Sequence, residues 1–299
     1  MRRMKAAIIV DSTAGLTEET ATLSNIYQIY LSTIFEDGTV YIDSPDESLT
    51  KDFYDRMDTE KNLPKTSQPD TKQIYDLFEH LVQDGYDTVF GVLLSEKISG
   101  TFQSIQASSR EFSDQLDIHL IDAQLTSFVM EAMVLNLVEL IQRQFEPNDI
   151  VTRIKHLLEQ SAFYFTPAKL DNLVKGGRVS SLSGFLGNAL NIKPIITMGA
   201  EHDGQLYVPE KIRTKKKAHD RLFEIADTHI QQYPKHAYVA VGHTGAEEDA
   251  QVMRDRIQSA YPDLPIRIGF ITPVLGTHGG SGAISINVAP LLNPSANSN

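Results

Sequence analysis

The sequence predicts an α/β protein of two domains, and three observations lead to that prediction. Short apolar runs, such as AAIIV at 6–10, alternate with helical patterns through the first half. Such alternation is typical of a parallel sheet with helices on both faces. The second half has longer predicted strands and a hairpin turn, GAEHDG. Finally, 299 residues are enough for two ordinary hydrophobic cores.

The first domain is predicted over residues 1–165 as a Rossmann-like α/β/α unit. Its strands are expected at 6–10, 27–35, 87–94 and 117–122. Thr17, Asp70 and Ser99 are expected to cap helices, because short polar side chains accept hydrogen bonds from free N–H groups at helix starts. The apolar stretch 125–145 predicts the longest and most central helix.

The second domain is predicted over residues 166–290 as a mixed or antiparallel sheet covered by helices, followed by a tail at 291–299. A strand is expected just before this boundary, at 163–166. Further strands are expected at 192–198, 204–213, 236–244, 266–274 and 282–289. The stretch GTHGGSG at 276–282 is expected to be a glycine-rich loop that carries His278.

Composition excludes several classes of function. The formal net charge of −12 makes nucleic acid a poor partner, because phosphate contacts need clustered Lys and Arg. Without cysteine, the chain has no disulfide and no thiolate site. The scattered histidines match no HxxxH or HExxH pattern, so we expect no metal. With no apolar run long enough to span a membrane, we expect a cytoplasmic protein.

Three loops rich in hydroxyl side chains and glycine, DSTAG, KTSQPD and SEKISGT, are the strongest candidates for a site. DSTAG and SEKISGT follow predicted strands, and ligands of open α/β sheets bind beyond the carboxyl ends of strands. Ser99, Gly100 and Thr101 open a predicted helix, whose N–H groups favour an anion. Any one of these loops is better explained by ordinary helix caps and turns. Three such loops at one edge of the sheet, however, favour a ligand-binding site.

Two glycine-rich stretches in the second half carry basic side chains. Arg178 lies in KGGRVS and His278 in GTHGGSG, where a helix end and a structural histidine are the plainer interpretations. Arg213 precedes a run of three lysines that is more often a solvated face. No GxSxG elbow is present, although Ser99 and His278 could meet across the domains as a hydrolase pair.

Taken in order, six motifs resemble the DegV family. They are VDSTAGL, KTSQPD, SGTFQS, LDNLVKGGRVS, IKPIIT and PVLGTHGGSGA, and the resemblance as a whole spans about residues 8–286. The characterised members of that family are the fatty-acid-binding (FakB-type) subunits of a bacterial fatty-acid kinase. The resemblance implies two α/β domains with a long-chain fatty acid between them, no cofactor, and no catalysis by the chain alone.

The resemblance also implies roles for particular residues. The ligand carboxylate would be held by residues of the TSQP, SGT and GTH motifs, namely Thr66, Ser67, Ser99, Gly100, Thr101 and His278. The kinase subunit or the transferring phosphate would be engaged by basic residues, namely Arg178, Arg213 and His278. The acyl phosphate product would serve phospholipid synthesis, and transient contact with a membrane surface is compatible with such lipid transport.

Departures from the family pattern bear on which fatty acid the chain could bind. Gly279 and Ser281 stand where threonine and proline are usual, and Val129 and Glu131 stand where glycines are common. If the long helix lines the tunnel, Val129 would narrow it, whereas Glu131 could point away. A lipid carrier remains the leading hypothesis, and a lipid-sensing regulator without a kinase and a Ser99–His278 acyl hydrolase are the alternatives.

Overall fold

The computed structural model describes residues 4–178 and 192–293. Residues 1–3 of the predicted first domain, 179–191 of the predicted second domain and 294–299 of the predicted tail lie outside the described residues. The strands are β1 (Ala6–Asp11), β2 (Ile26–Ile29), β3 (Ser32–Ile34), β4 (Val40–Ile42), β5 (Lys65–Ser67), β6 (Thr88–Leu93), β7 (Asp117–Asp122), β8 (Ala162–Thr166), β9 (Lys193–Met198), β10 (Tyr207–Ile212), β11 (Ala237–His243), β12 (Ile266–Phe270) and β13 (Ile284–Pro290). The helices are α1 (Glu18–Ala21), α2 (Glu47–Met57), α3 (Thr71–Gln83), α4 (Thr101–Ser109), α5 (Val129–Gln142), α6 (Pro147–Glu159), α7 (Asp171–Lys175), α8 (Lys215–Ile230), α9 (Glu247–Ala260) and α10 (Pro273–Gly279).

A four-stranded parallel sheet forms the first layer, in the order β2-β1-β6-β7. Every residue of β1 is buried. Ile8 and Val10 face one core and Ala7 and Ile9 face another, because side chains alternate along a strand. Burial on both faces explains why β1 reads as a continuous apolar run, and it confirms the predicted parallel sheet.

The second sheet has six strands in the order β10-β9-β8-β13-β11-β12. Its only parallel pair among the described strands is β11 with β12, and the other neighbours are antiparallel. This confirms the predicted mixed sheet. Helices α8 and α9 cover one face, and residues of α5 and α6 share a single core with the other face.

A small third sheet, β4-β3-β5, was not predicted. The expected single strand at 27–35 is wrong, because β2 joins the parallel sheet and β3 joins this small one. The break falls at Leu31, whose N–H donates to the Ser12 hydroxyl at 3.0 Å instead of to a neighbouring strand. The small sheet packs on an aromatic cluster that includes Phe35, Phe53 and Tyr54.

The helices confirm part of the prediction. Thr17 and Asp70 accept hydrogen bonds from N–H groups of α1 and α3, as expected of N-caps. Helix α5 contacts both large sheets and is therefore central, but α8, with 16 residues against 14, is longer. Within the described residues, no helix is both long enough and apolar enough to cross a membrane.

The predicted glycine-rich loop around His278 is instead largely helix α10, which is a correction. Pro273 at its first position suits a helix start. Tertiary contacts hold the helix despite its glycines: the Tyr54 hydroxyl donates to the Ile271 carbonyl at 2.7 Å, just before α10. The tyrosine ring also fills the space of a side chain at Gly276, where a β-carbon would lie 1.9 Å from the hydroxyl oxygen.

Candidate functional site

A cavity of about 880 Å³ opens at the carboxyl edge of the parallel sheet and extends between the three sheets. Both halves of the chain contribute to its wall. Its apolar lining includes Leu94, Ile98, Phe163, Phe165, Leu173, Met198, Leu206, Ile271, Val274 and Leu275. Its polar lining includes Thr66, Ser67, Gln68, Ser99, Gly100, Arg178 and His278. An apolar chamber with a few gathered polar groups is the usual form of a small-molecule site.

Thr66 and His278 meet at this wall although 212 residues separate them in sequence. Thr66 lies in β5, paired with Thr33 of β3, and His278 lies near the end of α10. The Thr66 hydroxyl and His278 Nε2 are 3.0 Å apart, which is a hydrogen bond. On the opposite side, a β-carbon at Gly176 would lie 2.3 Å from Nδ1, so glycine is needed for the close approach of the backbone.

The imidazole of His278 is held neutral. Burial and, to a smaller extent, the positive charge of Arg178 together lower the pKa of His278 to about 4. Nδ1 is buried and has no hydrogen-bond partner among the described residues. The ring therefore contributes one hydrogen bond to Thr66 and no positive charge at neutral pH.

The SGT segment opens α4, as predicted, but the cap is shifted by one residue. Gly100, not Ser99, is the N-cap, which corrects the expectation. The Ser99 hydroxyl accepts from the Thr101 N–H at 3.2 Å and lies 2.9 Å from the Thr101 hydroxyl. Thr101 is fully buried and is not among the residues that line the cavity, whereas Ser99 and Gly100 are.

The two predicted arginines lie in different places. Arg178 lines the cavity and donates to the carbonyls of Gly176, at 2.8 Å, and Ile98, at 3.5 Å. Those bonds connect the segment after α7 with the segment before α4. Arg213 follows β10 at an exposed position and is not among the lining residues. The structure thus brings Arg178, but not Arg213, to the group around Thr66.

Two buried carboxylates support the wall, and the sequence interpretation did not single them out. Asp11 accepts from the N–H groups of Leu94 at 2.6 Å and Thr13 at 3.0 Å. Asp43 accepts from the Ser12 hydroxyl at 2.9 Å and the Val274 N–H at 3.1 Å. Burial raises the pKa of Asp11 to about 6 and that of Asp43 to about 7. Asp43 thereby anchors the start of the helix that carries His278.

The departures in the long helix do not touch the cavity. Val129 is fully buried in the core and is not among the lining residues. The Glu131 carboxylate points away: it accepts from the Thr17 N–H at 2.7 Å and the Tyr238 hydroxyl at 2.6 Å, and it pairs with Arg267. This buried group connects α5 with β11 and β12. Neither residue narrows the cavity.

No group of three or more His, Asp or Glu side chains that could hold a metal ion occurs within 4–178 and 192–293.

One further lining residue, Gln68, was missed by the sequence interpretation although it lies inside the KTSQPD motif. The signal was present, because residues two apart on an extended chain face the same side, and Gln68 is two residues after Thr66.

Comparisons with known proteins agree with this geometry. Residues 5–291 match the family model described as "Uncharacterised protein, DegV family". Protein DegV of Bacillus subtilis is 33% identical over 286 residues, covering 95% of this chain and 98% of that protein. Two solved structures, each covering 96% of this chain and 99% of their own, are similar. A fatty acid binding DegV family protein from Streptococcus agalactiae has 31% identity and a TM-score of 0.87. DegV from Bacillus subtilis, described as a fatty acid binding protein, has 30% identity and a TM-score of 0.86.

Proposed function

The chain belongs to the DegV family, and on that premise we propose that it binds a long-chain fatty acid in the cavity and presents the carboxylate to a separate kinase subunit. The observation that carries the proposal is the cavity itself. An apolar chamber of about 880 Å³ has hydroxyl groups, a neutral imidazole and one guanidinium gathered on its wall. That combination fits a molecule with a long apolar tail and one acidic head.

The apolar wall supplies most of the affinity in this proposal. Phe163, Phe165 and Met198 of the second sheet line the cavity together with Leu94, which follows β6 of the first sheet. Removing a methylene from water contributes about 0.8 kcal/mol, so an acyl tail of many carbons binds tightly without polar contacts. The head-group residues then determine the position and the chemical type of the head.

Thr66 and Ser99 are the proposed hydrogen-bond donors to the carboxylate, with Ser67 and the backbone at Gly100 beside them. For Thr66 to donate to a ligand, its oxygen must accept from His278, which requires the tautomer with hydrogen on Nε2. The lowered pKa of His278 keeps the ring neutral at neutral pH. Thr101 acts through Ser99, since its hydroxyl contacts Ser99 and it does not line the cavity.

We propose that the kinase reaction takes place where these head-group residues face the solvent. A carboxylate oxygen would attack the γ-phosphorus of ATP on the partner, forming an acyl phosphate and releasing ADP. Arg178, fixed by two backbone carbonyls at the cavity, is the proposed contact for the transferring phosphoryl group. Arg213 is proposed only as part of the surface that meets the kinase subunit, because it lies away from the cavity lining.

The alternative of a Ser99–His278 hydrolase is disfavoured by the geometry. His278 Nε2 bonds Thr66, and the Ser99 hydroxyl is paired with Thr101. A nucleophilic pair also needs a third group that orients the imidazole, but Nδ1 has no partner among the described residues. A base with a pKa of about 4 is moreover weak at neutral pH. The lipid-sensing regulator shares the same cavity and stays as the second candidate.

The proposal is tested by identifying co-purified lipid with mass spectrometry and titrating the emptied protein with C12 to C20 acids. Thr66→Val should weaken acid binding by about 1–3 kcal/mol, the usual effect of losing a hydrogen bond to a charged group. Thr228→Val, at an exposed position of α8 whose hydroxyl bonds Glu224, is the matched control. Absence of any bound or binding acid contradicts the proposal.

The kinase part is tested separately, by ATP-dependent formation of acyl phosphate with candidate kinase subunits from the same cell. Arg178→Ala should reduce that transfer far more than it reduces lipid binding. If the protein binds fatty acid stoichiometrically and none of the kinase subunits phosphorylates the bound acid, the regulator is favoured instead.

A further inference from the structure

Gln68 connects the end of β5 to helix α4 beside the proposed head-group site. It follows Ser67 directly and lines the cavity. Its Oε1 accepts a hydrogen bond from the Ser104 hydroxyl of α4 at 2.7 Å. Because that bond takes the oxygen of the amide, Nε2 is the end left for another partner. Within the described part of the chain, Nε2 has no hydrogen-bond acceptor.

Gly100 shows where Nε2 lies. A β-carbon at Gly100 would be 2.5 Å from Nε2 and 3.0 Å from the amide carbon. The space beside the α-carbon of Gly100 is thus taken by the amide of Gln68. Its nitrogen therefore lies against the N-cap of α4, one residue from Ser99.

We propose that Gln68 Nε2 donates a hydrogen bond to the ligand carboxylate, and that Gln68 selects acids over uncharged lipids of the same length. This inference rests on the proposed function. A carboxylate has about four lone-pair positions, and the hydroxyls of Thr66 and Ser99 occupy two of them. Gln68 supplies a third donor without a positive charge, held in place by Ser104 and by the absence of a side chain at Gly100.

A purely structural role is the competing explanation, since Gln68 also joins β5 to α4. The two explanations differ in ligand selectivity. If Gln68 only holds α4 in place, its replacement lowers the binding affinities for fatty acids and for fatty alcohols by the same factor. If Nε2 contacts the carboxylate, the replacement lowers the affinity for fatty acids and leaves the affinity for fatty alcohols of the same chain length unchanged.

Gln68→Glu is the sharpest variant, because glutamate keeps the shape and can still accept from Ser104. It replaces the donor with a negative charge beside the start of α4, where the helix dipole favours an anion. We therefore expect an unchanged or slightly raised melting temperature for the empty protein. Affinity for stearic acid at pH 8 should fall at least tenfold, while affinity for stearyl alcohol changes less than twofold.

Gln106→Glu is the matched control, with the same change of charge at an exposed position of the same helix. It should leave both affinities unchanged. Ser104→Ala should lower the acid affinity a few fold, because the amide loses the bond that orients it. Gln68→Met, which removes all hydrogen bonding without adding charge, should reproduce the loss of acid selectivity.

The outcomes separate this inference from the proposed function. If the wild-type protein binds neither acid nor alcohol, the proposed function fails. If it binds stearic acid but the ratio of acid to alcohol affinity in Gln68→Met equals that of the wild type, the assignment of Gln68 is wrong and its role is structural; a lowered ratio in Gln68→Glu alone would reflect only repulsion between two negative charges.

Discussion

Replacing Asp43 by asparagine should change how the stability of the protein depends on pH. The Asp43 side chain is 1% exposed, and burial raises its pKa from 3.8 to about 7. Between about pH 4 and pH 7, the folded protein therefore holds a proton at Asp43 that the unfolded chain has released. The free energy of unfolding consequently falls as the pH rises through this window, and this stabilisation is fully present only below about pH 4.

The magnitude follows from the displacement of the pKa. A rise from 3.8 to about 7 is about three pKa units, and each unit corresponds to 1.36 kcal/mol, so the total is about 4 kcal/mol. Asparagine carries no charge at any pH. The free energy of unfolding of Asp43→Asn minus that of the wild type should therefore increase by about 4 kcal/mol between pH 4 and pH 8, of which about 3 kcal/mol falls between pH 5 and pH 8.

Taking this difference removes the contributions of groups that do not interact with Asp43. The charge of Asp11 raises the pKa of Asp43, so the two carboxyl groups titrate together and Asp11 contributes part of the difference. Asp11, whose pKa is raised to about 6, acts with the same sign as Asp43. His278, whose pKa is lowered to about 4, acts with the opposite sign: its contribution is present above about pH 6.5 and is lost as the pH falls towards 4. Both groups are present in the wild type and in the variant.

The assay is urea unfolding followed by circular dichroism at pH 5, 6, 7 and 8. Asp52→Asn, the same substitution at an exposed position of α2, is the control. A difference between Asp43→Asn and wild type that stays constant across the four pH values would refute the reasoning. It would mean that Asp43 keeps an ordinary pKa despite its burial.

Three further predictions concern the core and the wall. Glu131→Leu should destabilise the protein by about 3–5 kcal/mol in urea unfolding, because it leaves Arg267 without its partner, while fatty-acid affinity stays unchanged. Val129→Ala should lower the free energy of unfolding by about 2 kcal/mol without changing the preferred acyl length in lipid extracts; a shift towards longer acids would show that Val129 does reach the cavity. Gly176→Ala should displace the His278 ring and disrupt its hydrogen bond with Thr66, weakening acid binding in calorimetry and raising the pKa of His278 in NMR titration; unchanged values of both would contradict the tight contact.

The sequence was sufficient to predict the large sheets, because strands buried on both faces read as continuous apolar runs. The sequence was insufficient to predict the small sheet, because its three-residue strands are too short to show an alternation of apolar and polar side chains. The boundary at Leu31 was also invisible, since no glycine or proline marks it. Its cause is a hydrogen bond to Ser12, 19 residues earlier.

Helix α10 was mispredicted for a physical reason of the same kind. Glycine lowers intrinsic helix propensity, so Gly276 and Gly279 correctly indicate a weak helix former. The compensating contacts come from distant segments, namely the Asp43 carboxylate at the Val274 N–H and the ring of Tyr54 against Gly276. Local sequence cannot report such contacts. At the site, the sequence motifs identified many of the residues that line the cavity wall. The hydrogen bond between Thr66 and His278, in contrast, could be recognised only from the folded structure.

The character of the head-group site bears on the proposed chemistry. Among the described residues that line the cavity, Arg178 is the one side chain with a permanent positive charge, and His278 is neutral. A carboxylate held by hydroxyl and amide donors keeps more of its negative charge than one paired with two or three cations, and it therefore remains a better nucleophile towards phosphorus. Neutral donors at the head and a single arginine fixed by backbone carbonyls are thus what we expect of a protein that positions an acid for another enzyme's reaction.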